Sequence, residues 1–318
     1  MRLTSKWNLL TTEQTEHALP DLSTLDTLTA VTLMNTRDKT VAEAVERALP
    51  EIAMAVDVIA AQMASGARWF YVGTGTSGCL GVLDAAELPP TFNTDPLLVQ
   101  AIIAGGPDAV FHAQEGLEDQ PDQGMRDLEN AGARAGDVVV GITASGQTPY
   151  VRGALQWARQ SGLVTVAVSC NANPLVRQDA KITIVTGTGP EILGGSTRLK
   201  AATAEKMVLN MLSTMVMVRL GKTYRNLMVD MRPSNHKLRN RAIRIVMDAA
   251  QVNAEEAHVL LESAQGETKV AIAAKILQCS PQEARTQLQA AGGILARLAP
   301  RMQNDPMDAS QSIGEKER

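Results

Sequence analysis

Aromatic side chains are scarce in this chain, with three each of Trp, Tyr and Phe among 318 residues. A core at that frequency cannot rest on stacked rings, so it must be built from aliphatic and thioether side chains, which the 45% hydrophobic content and 14 methionines supply. Met207, Met211 and Met215 recur at helical spacing and are expected to pack inward. Cysteine is also sparse. Cys79, Cys170 and Cys279 are odd in number and far apart, with no C-x-x-C pair, which argues against a disulfide framework and fits a reducing cytoplasm. The four histidines, His17, His112, His236 and His258, show neither metal-ligand spacing nor a triad, so no metal and no cofactor is expected. Charge of one sign is not in surplus: 30 Lys plus Arg stand against 34 Asp plus Glu, and neither collects in a run. That argues against nucleic acid and membrane surfaces as partners and leaves small molecules and protein. Long apolar runs are missing too. The most apolar stretch, Met207 to Val218, is too short to span a bilayer, and Met1 to Leu10 holds no signal-peptide core, so a cytoplasmic location is expected.

What is present is a repeating order of short apolar runs and helical patterns. Val41, Val45, Leu49, Ile52, Val56 and Ile59 recur at the helical period, predicting one long helix from Lys39 to Ala64, bent at Pro50. Trp69 to Val72, Leu98 to Ile103, Val138 to Ile142, Leu163 to Val168 and Ile182 to Val185 read as five strands, with helix-length segments between most of them. Fully apolar strands separated by helices imply an α/β fold with a mainly parallel sheet covered on both faces. A further helix runs from Ser196 or Thr197, either a suitable N-cap, to about Leu220. Beyond Pro233 come short amphipathic helices over about 235–250, 254–263, 269–277 and 281–291. The expected organisation is an N-terminal arm over 1–38, a main domain over 39–236, a small helical subdomain over 237–300 and a disordered polar tail over 301–318.

Two turns suit a phosphate. In an open parallel sheet, ligands settle at the carboxyl ends of strands, where helix N-termini direct unpaired N–H groups and partial positive charge outward. The first turn is Gly73-Thr-Gly-Thr-Ser-Gly78, where glycines allow close backbone approach and Thr76 and Ser77 add hydroxyls. It lacks the Lys of a P-loop; as a dinucleotide fingerprint, with Asp95 as the acidic residue, it is a weak match. The second is Ala144-Ser-Gly-Gln-Thr-Pro149, in which Ser145, Gly146 and Thr148 are the candidate ligands. Helix capping explains any one of these hydroxyls equally well; their repetition in two strand-to-helix turns favours a bound monophosphate.

With Leu80-Gly-Val-Leu-Asp84, Glu87 and Pro89-Pro-Thr-Phe92 after it, the first turn resembles the signature of the N-acetylmuramic acid 6-phosphate etherases. Ile103-Ala-Gly-Gly106, Glu115-Gly-Leu-Glu-Asp119, Thr148-Pro-Tyr150, Gly195-Ser-Thr-Arg-Leu-Lys200 and Asn226-Leu-Met-Val-Asp230 resemble further blocks of that family in the same order, over about residues 10 to 298. The resemblance implies a sugar isomerase (SIS) type five-stranded sheet flanked by helices and a C-terminal subdomain similar to a ubiquitin-associated module. It implies a metal-free homodimeric lyase of cell-wall sugar recycling and amino sugar catabolism, which cleaves the D-lactyl ether of its sugar phosphate to N-acetylglucosamine 6-phosphate and D-lactate. It places Glu87 as proton donor to the departing lactate oxygen and Glu118 as the second acid/base residue. Ser196, Thr197, Arg198 and Lys200 begin the helix after the last glycine-rich loop, where they are positioned to bring donors or positive charge toward the sugar phosphate, although capping and surface pairing explain them almost as well. Members usually carry Arg where this sequence has Cys79 and Gln147.

Elimination needs one acid and one base, and two carboxyl groups in different environments can serve as both. Asp84, Glu115 and Asp119 are close enough in sequence to Glu87 and Glu118 to compete for either role, and an isolated surface glutamate is more often only a solvated side chain. Two other functions share the same loops: an aldose–ketose phosphate isomerase, and a non-catalytic sugar-phosphate sensor of the glucokinase regulatory type.

Overall fold

The computed structural model describes residues 10–298 apart from 17, 113, 115, 232, 234 and 235. His17, Glu115, the start of the arm and the tail over 301–318 therefore lie outside the described residues. The chain divides into two compact units, Met1–Arg219 and Leu220–Arg318.

The first unit is built on five strands, β1 Trp69–Gly73, β2 Val99–Ile103, β3 Val138–Ile142, β4 Val164–Ser169 and β5 Ile182–Val185. They pair in the order β2-β1-β3-β4-β5, and every pairing is parallel. The central strands β1 and β3 are buried at every residue, as continuous apolar runs covered on both faces must be. One face carries α5 (Pro121–Asn130) and α6 (Pro149–Gln160), whose Leu128, Tyr150, Val151 and Leu155 pack with Phe70, Val72 and Val139 of the sheet. The other face carries α4 (Gly75–Phe92), α3 (Leu49–Ala64) and α7 (Lys200–Arg219). There the phenol of Tyr71 donates to Asp84 of α4 at 2.7 Å, and Ser213 of α7 donates to the same carboxyl at 3.0 Å.

Two expectations change at the level of elements. The predicted long helix is two, α2 (Thr40–Glu46) and α3, because Pro50 lies in the first turn of α3, where its missing N–H leaves no bond unmade. The arm contains α1 (Thr27–Asp38), capped by Asp26, whose side chain accepts from Thr29 N at 3.1 Å. The methionine row of α7 does not face the core. Met207 and Met211 are half-buried and Met215 is 46% exposed, while Ala204, Val208, Leu212 and Val216 form the buried face.

The second unit contains α8 (His236–Ala250), α9 (Ala254–Ser263), α10 (Thr268–Leu277) and α11 (Pro281–Ala290) around its own core of Ile245, Val246, Leu261, Ile272 and Leu288. Tyr224, Val229 and Met231 join that core, which is why the division falls after Arg219 rather than at 236/237. Among the described residues no helix is long and apolar enough to cross a membrane.

Candidate functional site

The strand order creates one special place. From β1 the chain crosses to β2 on one side, then returns to lay β3 on the other, so the loops leaving β1 and β3 diverge and open a crevice at the carboxyl ends of those strands. A cavity of about 500 Å³ occupies it, lined by Thr74 to Ser77 after β1 and by Thr143, Ala144, Ser145 and Gln147 to Pro149 after β3. That volume is in the range of small-molecule sites.

Both turns deliver donors. Gly75 opens α4 with φ of +49°, and the N–H groups of Gly75, Thr76 and Ser77, in the first turn, have no intrahelical acceptor. Gly73 and Gly78 hold the turn tight: a Cβ on Gly73 would lie 2.7 Å from Gly78 N. In the second turn Thr148 is the N-cap of α6, but its hydroxyl pairs with Thr143 Oγ1 at 2.7 Å rather than with the helix. Ser145 Oγ accepts from Gln147 N at 3.2 Å. Gly146 shapes this turn from beneath; its φ is +70° and an added Cβ would meet Pro174 Cβ at 2.2 Å. Asn171, after β4, braces the turn by donating to Ser145 O at 3.2 Å, and accepts from Thr11 N and Oγ1 at 3.4 and 3.3 Å. The arm is thereby pinned across the cavity, where Leu10 and Glu13 join the lining.

The cavity thus brings together Thr76, Ser77, Ser145, Thr148 and Glu118. Glu118 sits in the 3-10 turn Leu117–Asp119, exposed, with Asp119 beside it in the lining. The other expected residues lie elsewhere. Gly146 is behind the turn, and Ser196 is outside the lining although its neighbours Gly195 and Thr197 belong to it. Lys200 is 5% exposed and directs its ammonium to Thr188 O at 2.9 Å, away from the cavity. Neither Ser196 nor Thr197 caps α7. The helix starts at Lys200, and the carboxylate of Glu191 accepts from Lys200 N at 3.0 Å and Ala201 N at 2.8 Å in their place.

Glu87 is exposed on α4, twelve residues beyond Gly75, which at the helical rise places it about 18 Å from the phosphate-type turn. Within one chain the carboxyls of Glu87 and Glu118 do not meet at one cavity. Glu87 is outside the lining, and Leu83, one turn before it, is 51% exposed.

Among the described lining residues three are carboxylates, Glu13, Glu118 and Asp119, and none is Lys or Arg. An anion here would be held by helix N-termini and hydroxyls alone. Cys79 is half-buried outside the lining, whereas Gln147 is in it, so Gln147 occupies a position where a guanidinium would reach the cavity. Beneath the first turn lies a carboxyl that sequence patterning does not reveal. Glu205 of α7 is 1% exposed, accepts from Ser77 Oγ at 3.0 and 2.9 Å, and is pushed up by burial to a pKa of about 8. No group of three or more His, Cys, Asp or Glu among the described residues is arranged to hold a metal ion.

Residues 51–159 match the family described as the glucokinase regulatory protein N-terminal SIS domain. Over 295 residues the chain is 46% identical to a Clostridium beijerinckii protein named N-acetylmuramic acid 6-phosphate etherase, covering 93% of this chain and 97% of the relative. It is 52% identical to a Symbiobacterium thermophilum protein of the same name, over 84% of this chain and 89% of that one. Among solved structures it is similar to a phosphoheptose isomerase from Francisella tularensis, with a TM-score of 0.47 and 16% identity over 60% of this chain and 98% of the other. Identity of this extent, over nearly the full length of the relatives, makes the chain a member of the N-acetylmuramic acid 6-phosphate etherase family.

Proposed function

We propose that the protein is a carbon–oxygen lyase that converts N-acetylmuramic acid 6-phosphate to N-acetylglucosamine 6-phosphate and D-lactate. The observation that carries this reading is the crevice between β1 and β3, where two hydroxyl-bearing turns and a free carboxyl share one cavity, in a chain whose relatives are named for that activity. The phosphate lies against the N–H groups opening α4 and the hydroxyls of Thr76, Ser77, Ser145 and Thr148.

With the sugar in its open aldehyde form, the C2 proton is α to a carbonyl and acidic enough for a carboxylate to remove. Glu118 takes that proton, the C3–O bond breaks, and the lactate oxygen accepts a proton from a second carboxyl. Water then adds across the C2–C3 double bond, its hydroxyl to C3 and its proton to C2. An isomerase shares the first proton transfer but then returns a proton to C1 and keeps the C3–O bond; the relatives named as etherases favour the lyase.

The second carboxyl is Glu87, supplied by another copy of the chain in a homodimer. Two features support this: Glu87 is exposed and outside the lining of its own cavity, and Leu83, one helical turn before it on α4, is an exposed apolar side chain that a second copy could cover. Three free thiols support a reducing, cytoplasmic setting, and the substrate places the enzyme in the recycling of peptidoglycan sugars.

The test is D-lactate release from N-acetylmuramic acid 6-phosphate by wild type, Glu118→Ala and Glu87→Ala. Each variant alone is expected to lose at least about a hundredfold in rate. Mixed and allowed to exchange subunits, the two inactive variants should recover about a quarter of wild-type activity, since half the dimers then hold one intact site of two. No lactate from wild type contradicts the lyase; no recovery on mixing contradicts the shared site.

A further inference from the structure

Glu205 has no part in the chemistry above, yet it lies directly under the phosphate turn. α7 holds its carboxyl against the first turn of α4, where Ser77 Oγ is 3.0 and 2.9 Å from its two oxygens. The charged groups around it are engaged elsewhere. On α7, Lys200 donates to Thr188 O, and Lys206 lies near Asp84. After β4, the Cys170 thiol is pushed well up, first by burial and then by the charges of Glu205 and Glu191, and so stays neutral. Glu191 is itself bound to the first N–H groups of α7. The Ser77 hydroxyl alone opposes the effect of burial on Glu205.

A hydroxyl has one proton to give. While Glu205 is ionised, Ser77 directs that proton to it and shows only lone pairs to the cavity, which repel a phosphate oxygen. When Glu205 is protonated, it donates to Ser77 Oγ, and Ser77 can turn its own proton to the anion. The geometry points to Glu205 as a positioning residue that couples phosphate binding at the first turn to uptake of one proton by its own carboxyl, acting through Ser77. The inference rests on the reading of the cavity as a phosphate site.

Titration calorimetry of the full chain with N-acetylglucosamine 6-phosphate, from about pH 7.5 to 9.5 in buffers of different ionisation enthalpy, tests it. Over that range the ligand is already a dianion, so proton uptake reports the protein. Wild type should take up close to one proton per ligand at the top of the range, with affinity falling toward about tenfold per pH unit. Glu205→Gln keeps a donor for Ser77 and should bind with no uptake and a flat pH profile; Ser77→Ala should bind more weakly and also lose the pH dependence. An unchanged slope in Glu205→Gln overturns the inference and leaves the phosphate site standing. If Glu205→Gln does not fold, an unchanged slope in Ser77→Ala does the same. Absence of binding by wild type overturns both readings together.

Discussion

A carboxyl group acts according to where its surroundings set its proton, and the acidic residues of the first unit divide on that basis. Glu118 meets solvent at the cavity, Glu191 is fixed as a helix cap, and Glu205 is sealed beneath the turn that follows β1. Burial raises the folded-state pKa of Glu205 to about 8, against an ordinary value of 4.5. The sign follows: the unfolded chain gives up this proton near pH 4.5, the folded chain only near 8, so stability present below the lower value is lost as pH rises between the two. Urea unfolding from about pH 5 to 9 should show that decline, on the order of a few kcal/mol, and Glu205→Gln should flatten it. Gln147 allows a second check at this scale. It lines a cavity that, among the described residues, holds no cation, so Gln147→Arg should tighten binding of N-acetylglucosamine 6-phosphate about tenfold, measured by calorimetry, through a charge-assisted hydrogen bond. Glu118 was legible in the sequence because a family block surrounds it. The burial of Glu205 was not, because a lone glutamate amid Ala and Met on a helix carries no mark of which side faces the sheet.

At the scale of elements, the sequence announces strands better than helix ends. All five apolar runs became strands within a residue or two, since each is short, rich in aliphatic residues and bounded by turn or polar residues. Boundaries set by distant partners were not legible. The cap of α7 comes from Glu191, nine residues before the helix, and the seat of the arm at the cavity depends on Thr11 meeting Asn171 across 160 positions of sequence. The four C-terminal helices were legible because each carries its own amphipathic period, and Asn253 and Ser280 cap two of them locally. What sequence alone did not show is the tie that binds them. Lys269 of α10, 12% exposed, pairs with Asp230 at 2.8 Å and donates to Gly221 O at 2.9 Å and Gly293 O at 3.1 Å, joining both ends of the second unit. Lys269→Met would leave two carbonyls without their donor and Asp230 with Lys222, 3.1 Å away, as its remaining cation, and should lower the stability of this unit by about 2 kcal/mol in denaturant unfolding. A variant as stable as wild type would show that the tie is dispensable.

For the whole molecule, topology decides where chemistry can occur. A sheet ordered β2-β1-β3-β4-β5 has one place where adjacent strands send their loops apart, and both hydroxyl-bearing turns leave the strands on either side of it. The sequence announced the turns but not their adjacency, because strand order is a property of the assembled sheet. Nor did it show that Glu87 and Glu118 part company within one chain, since linear spacing says nothing of which way α4 runs from the crevice. If the lactyl ether is cleaved at the sugar carbon by elimination and rehydration, running the reaction in 18O-labelled water should put the label in the C3 hydroxyl of N-acetylglucosamine 6-phosphate and none in D-lactate; label in the lactate hydroxyl, with the sugar unlabelled, would rule that route out.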